Sequence, residues 1–222
     1  MARRTHFGTV SRTAIRHALQ PLVARNDDLA LIGRLLIVKP LHHILRGVFF
    51  ENTSGENGLM STTAVDLMMP VRAVLHGWGE RYYDGAHGTW KIDDPDSMSR
   101  FYDVTESQIL PCLREINTFD DFHNFASRPR PFCPPYTQYE YPKMFVALAR
   151  GDLDTARSVC SDIAQGKTWT RSLPWFYPLI MAGDRKGLAQ ALHDWEAAAV
   201  TRYKFEKLWK RTPFPFELAA GS

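Results

Sequence analysis

The chain has little cysteine, no long apolar run and almost no net charge, and each scarcity removes a class of protein. Three cysteines, Cys112, Cys133 and Cys160, stand among 222 residues. An odd number without metal-ligand spacing excludes a disulfide framework and a cysteine-rich zinc site. Such usage fits a reducing compartment, so a cytoplasmic protein is expected. No apolar run approaches the roughly 20 residues that cross a bilayer, and no membrane attachment is expected. Net charge is +3, from 27 basic and 24 acidic residues, too balanced to argue by itself for nucleic acid. There is no Gly-x-Ser-x-Gly nucleophile elbow. Gly77-Trp78-Gly79 and the glycines at 85 and 88 lack the strand-to-helix context of a phosphate loop.

Hydrophobic residues make up 45% and aromatics 12% of the chain, enough apolar surface to bury a sizeable core without staples. Before Asp27 there are five arginines (Arg3, Arg4, Arg12, Arg16, Arg25) and no acid. Two readings stand for this stretch. One is an organellar transit segment; the favoured one is a first helix over residues 11–25 with Ile15, Leu19, Leu22 and Val23 inward. Arg3, Arg4, Arg12, Arg16 and Arg25 could also form a basic stripe against phosphates, with Arg12, Arg16 and, less well, Arg25 close to one helical face. Asp27-Asp28 end the stripe abruptly, so nucleic acid ranks below a protein partner.

Residues 35–93 carry strand signals. Leu35-Leu36-Ile37-Val38 is a short β-prone run ended by Pro40. Residues 41–52 (LHHILRGVFFEN) read as a long strand stopped by turn residues, and residues 59–69 as its return. On the returning strand Leu59, Ser61, Thr63, Val65 and Leu67 share one face. Arg81-Tyr82-Tyr83 and Thr89-Trp90-Lys91-Ile92 suggest a second hairpin. Short links of this kind require an antiparallel sheet of four to five strands.

From Asp94 the period becomes helical. Met98, Phe101, Thr105, Ile109, Cys112 and Ile116 approximate one face, with a break expected at Pro111. Thr118-Phe119-Asp120-Asp121 has the form of a capping box. Four prolines within residues 128–136 read as an extended linker. Beyond it, Gly151-Asp152 and Gly183-Asp184 each close one helix and cap the next. The residues from Tyr203 to Arg211 read as part of the last helix. The expected class is α+β: an N-terminal helix, an antiparallel sheet, and a helical C-terminal half of αα-hairpins. The expected division is residues 1–127, a linker at 128–136, and a helical unit at 137–222.

Chemistry-bearing residues are sparse. His42 and His43, read as strand neighbours, point to opposite faces and cannot chelate one ion together. No metal and no cofactor is expected. His76, Asp84, His87 and Asp93 cluster near loops, where a carboxylate could orient a histidine as general base. They are the catalytic candidates if the chain is a hydrolase or nucleotide-modifying enzyme. Trp78, Arg81, Tyr82 and Trp90 combine aromatic bulk with charge and are the candidate binding residues; covering a sheet face is their other possible role. Absent catalytic motifs and available aromatic anchors favour a non-catalytic interaction protein with a protein partner.

Residues 13–124 resemble in layout bacterial α+β domains of the toxin-immunity and genomic-neighbour type. The resemblance is carried by Ile44-Leu45-Arg46-Gly47-Val48-Phe49-Phe50-Glu51, Gly88-Thr89-Trp90, Leu110-Pro111-Cys112-Leu113 and the Thr118-Phe119-Asp120-Asp121-Phe122 turn. It implies an accessory or immunity-like role and no catalytic residue. Proteins that neutralise basic nucleases are commonly acidic, and the slight basicity of this chain departs from that pattern. The 32-residue offset between the two Gly-Asp pairs is similar to tetratricopeptide-like helical hairpins.

Overall fold

Ser11 starts the first regular element. Its hydroxyl accepts from the Ala14 amide, opening helix α1 (Arg12–Arg25) with Ile15, Leu19 and Leu22 buried. The computed structural model describes residues 10–53, 58–68, 77–85, 88–130, 133–166 and 176–218. Within them the protein is α+β, with an N-terminal helix, an antiparallel sheet and helices mostly in the C-terminal half. No helix of the described residues is long and apolar enough to cross a membrane.

The chain forms two compact units. Unit 1 comprises residues 1–41, 45–66 and 75–116; unit 2 comprises residues 42–44, 67–74 and 117–222. Unit 1 holds most of a sheet in the order β1 (Leu29–Ile32), β2 (Leu35–Val38), β3 (Ile44–Asn52), β4 (Gly58–Leu67) and β5 (Arg81–Tyr82). β6 (Trp90–Lys91) also pairs with β4. The sheet begins six residues earlier than expected, because β1 folds back on β2 through Gly33 with Ile32 opposite Leu35. On β4 the expected face, Leu59, Ser61, Thr63, Val65 and Leu67, is buried throughout. β5 and β6 are not a hairpin ladder of their own. They pair with successive parts of β4, Tyr82 opposite Ser61 and Trp90 opposite Leu59, and a single bridge, Asp84 to Gly88, links them.

Asp94 caps α2 (Pro95–Val104) through the Asp96 amide, with Pro95 in the first turn. A π-turn over Thr105–Ile109 then leads into α3 (Leu110–Arg114). The wider turn takes up an extra residue ahead of Pro111, which has no amide to donate. This shifts the buried face. Leu110 and Leu113 are buried while Cys112, expected inside, is only half-buried.

Unit 2 opens on the capping box: Thr118 Oγ1 accepts from the Asp121 amide and Asp121 returns a carboxylate to the Thr118 amide, starting α4 (Phe119–Ala126). In the Pro-rich stretch Tyr136 is buried beside Phe122 and hydrogen-bonded to His123. Two αα-hairpins follow, α5 (Glu140–Arg150) with α6 (Leu153–Gly166), and α7 (Phe176–Ala182) with α8 (Arg185–Tyr203). Gly151 at φ 87° and Gly183 at φ 65° close α5 and α7. The next amides, Asp152 and Asp184, reach back to Ala147 and Leu179, and both aspartates cap the following helix. This is the Schellman closure expected from the Gly-Asp pairs.

The last stretch departs from expectation. α8 stops at Tyr203, and Lys204 takes the left-handed conformation at φ 62°. The Phe205 amide bonds to the Val200 carbonyl, another Schellman closure, here without glycine. Burial of Phe205, 1% exposed, supplies the apolar contact that such a closure favours and offsets the strain at lysine. Turns then lead to the short α9 (Pro215–Leu218).

Candidate functional site

In unit 1, two of the four catalytic candidates, His76 and His87, lie outside the described residues. The Asp84 carboxylate is held in a fork by Arg100 at 2.7 and 2.9 Å and accepts from Ser97 Oγ at 2.5 Å. The guanidinium, with the Ser97 hydroxyl, keeps this carboxyl below the usual range. Both Asp84 oxygens are thus committed within the unit. Asp93 is exposed.

Of the binding candidates, Trp90 is 2% exposed. Its indole N–H donates to Ser61 Oγ at 2.9 Å, and Phe101 meets the ring edge-on at 5.3 Å. Trp78 is also buried and pairs through its backbone with Val65. A Cβ on neighbouring Gly79 would overlap the Thr63 backbone, so glycine there lets the chain lie against β4. The exposed part of the cluster is Arg81, with Tyr82 half-buried. On α1, Arg12 and Arg16 are exposed, whereas Arg25 is bound to both oxygens of Glu106 at 3.1 and 3.2 Å. That pairing removes the third arginine from the expected basic stripe. Arg3 and Arg4 lie outside the described residues.

Unit 2 holds a constellation that the sequence reading missed. His43 lies just before β3, which starts at Ile44 rather than at residue 41. Its Nδ1 is 2.6 Å from Glu196 Oε1. Glu196 lies on α8 with its side chain fully buried, and three residues earlier on that helix stands His193, 5% exposed. His193 Nε2 donates to Glu217 Oε2 at 2.9 Å, and the same oxygen accepts from the Phe214 amide at 2.7 Å. The other Glu196 oxygen and His193 Nδ1 face one another at 3.9 Å. Neither has a hydrogen-bond partner among the described residues.

The result is a linear series, His43, Glu196, His193 and Glu217, walled by aromatic rings. Phe214 stacks on His43 at 4.2 Å and lies 5.0 Å from His193; Phe119 lies 5.6 Å from His43. Burial pushes the Glu196 carboxyl up, while the hydrogen bond from His43 opposes that rise. The Pro213 carbonyl, 3.2 Å from His43 Nε2, can only accept, so Nε2 carries a hydrogen there. One further proton is then shared between His43 Nδ1 and Glu196. The available signal was His193-x-x-Glu196, two polar residues one turn apart on an apolar helix face. His43 could not be matched to it from sequence. Among the described residues no three His, Cys, Asp or Glu side chains are arranged to hold a metal ion.

The last turn of α8 and the turns after it carry the other distinct surface. Arg202, Lys204, Lys207, Lys210 and Arg211 are exposed, with Glu206 as the acid among them. None of the five cations forms an ion pair among the described residues. Between them Leu208 and Trp209 are half-buried. Comparison with protein-family models, curated proteins and solved structures returns no match.

Proposed function

We propose that the chain is a non-catalytic interaction protein, accessory or immunity-like, whose partner is a protein with an acidic surface. The observation that carries this reading is the run of five exposed, unpaired cations within residues 202–211. Five cations against one acid, Glu206, leave a positive patch whose charge an acidic partner neutralises, and such complementarity steers association. Leu208 and Trp209 among these cations add apolar area that a protein interface uses. Large exposed apolar groups, Tyr139, Met181 and Leu218, also belong to unit 2.

A protein is favoured over nucleic acid because Glu206 interrupts the basic run, and because Arg25 on α1 is already paired with Glu106 of the π-turn. The test is affinity capture with the purified chain and with the triple variant Lys207→Glu, Lys210→Glu, Arg211→Glu, followed by direct titration of the captured protein. A partner that binds the parent chain at least tenfold more tightly than the variant supports the reading, and equal binding overturns it. Oligonucleotide binding lost in the variant replaces the protein partner with nucleic acid.

A further inference from the structure

Lys207, Lys210 and Arg211 of the basic run belong to a segment, residues 205–218, that buries Phe205, Phe214 and Phe216 and is also held by side-chain hydrogen bonds from three histidines. His42 Nδ1 donates to the Lys210 carbonyl at 2.9 Å. His43 Nε2 meets Thr212 Oγ1 at 3.1 Å and the Pro213 carbonyl at 3.2 Å. His193 Nε2 donates to Glu217, which also receives the Phe214 amide. Behind His43 and His193 stands a single buried carboxylate, Glu196. Resting on the proposed function, we propose that these side chains form a proton-operated clasp: the shared proton holds residues 205–218 in place, and its loss loosens the segment that presents the basic run.

The chemistry follows from what each atom can donate or accept. With one proton shared between His43 Nδ1 and Glu196, both ring nitrogens of His43 have an acceptor, Glu196 on one side and Thr212 with Pro213 on the other. When that proton leaves, His43 has a single N–H to place. The buried Glu196 carboxylate, 2.6 Å away, takes it, since an ionised acceptor binds an N–H more strongly than a carbonyl does. Nε2 then turns a lone pair toward the Pro213 carbonyl oxygen. Two acceptors meet, and the contact on Pro213 is lost. Thr212 can still donate its hydroxyl, so the segment loosens rather than detaches.

Among the described residues, the titratable groups that act on Glu196 belong to this clasp. From α8 itself comes His193, from the segment before β3 come His42 and His43, and Glu217 on α9 stands behind His193. α4 and α5 contribute Phe119 and Phe145, whose rings pack near Phe214. Burial raises the Glu196 carboxyl, so the closed form retains a proton that an open form releases. The closed form is therefore favoured at lower pH and weakened as pH rises through the folded-state value.

Backbone hydrogen exchange on the full chain tests this, compared at about pH 6 and about pH 8.5 after correction for intrinsic rates, the range in which imidazoles change charge. The amides of Phe205, Trp209, Phe214 and Glu217 report on the segment, and those of Leu148 and Ala149 in α5 serve as the reference. The expected result is a fall in segment protection of about tenfold or more at the higher pH, with the reference changing less, because one released proton shifts an opening equilibrium tenfold per pH unit. Glu196→Gln, which cannot release a proton, is expected to flatten this dependence. Glu217→Gln, which leaves the His43–Glu196 pair intact, is expected to keep it. Unchanged segment protection in the parent chain overturns the clasp, as does an equal loss in α5. Either result leaves the partner titration untouched, so the clasp and the proposed function fail independently.

Discussion

Units 1 and 2 differ in where they keep their carboxylates. In unit 1 three acids are tied to arginines at the surface: Asp28 to Arg114, Asp84 to Arg100, and Glu106 to Arg25. Each guanidinium holds its carboxyl below the usual range. Deeper in that unit the Trp90 indole donates to the Ser61 hydroxyl, and the buried Arg46 guanidinium donates to the Pro40 carbonyl. In unit 2 an ionisable group is buried, and Glu196 has its carboxyl pushed up by desolvation. Burial penalises a charge, whereas an exposed guanidinium stabilises one. One chain can therefore carry two opposite responses to pH.

The largest expected effects compare the two cores directly. Trp90→Ala removes a nearly inaccessible indole and should cost about 3–5 kcal/mol in urea unfolding. Glu196→Ala leaves His43 and His193 without their buried carboxylate and should cost a similar amount, about 3–5 kcal/mol. Only the second loss should depend strongly on pH. Equal pH dependence for both variants would erase the contrast between the units.

The next effect is the sign of the response. As pH falls through the depressed folded values of Asp28, Asp84 and Glu106, the native carboxylates take up protons and their contribution to unit 1 is lost. The raised Glu196 works the other way: its contribution to unit 2 is lost as pH rises through its folded value. Exchange protection of β2 amides should therefore weaken on acidification, while that of residues 205–218 weakens on alkalinisation. The lowered carboxyls of Asp121 and Asp152, which cap helices in unit 2, should leave α4 and α6 acid-sensitive as well.

Smaller effects sharpen the comparison. Gly151→Ala places a Cβ at φ 87° and 3.0 Å from Phe216 Cβ, and should cost about 1 kcal/mol or somewhat more by thermal unfolding. Asp28→Asn breaks a partly exposed pair and should cost no more than about 1 kcal/mol. Its clearer signature is a reduced acid sensitivity near α3, read from exchange of the Leu113 amide.

Much of the fold was legible because local rules governed it. Alternation placed Leu59 to Leu67 correctly on one face of β4, and Ser11, Asp94 and Thr118 capped their helices as their side chains suggest. Two features escaped because they have no local signature. The phase shift before Pro111 requires a π-turn, and the stop at Lys204 requires a lysine in a conformation usually left to glycine. The site was less legible than the fold. His43 reads in the sequence as a strand residue beside His42, while its carboxylate partner lies 153 residues away.

The sequence by itself determined the class of the protein, the strand alternation and the helix starts at Asp94 and Thr118, because capping, alternation and turn chemistry act over a few residues. Only the tertiary structure decided which ionisable groups would lose their water. Burial and pairing are set by segments distant in the chain, and Glu196 reads in the sequence as one more helical glutamate. Its altered proton affinity arises when His43 and His193 flank it inside unit 2, where desolvation opposes the charged form and the imidazoles favour it.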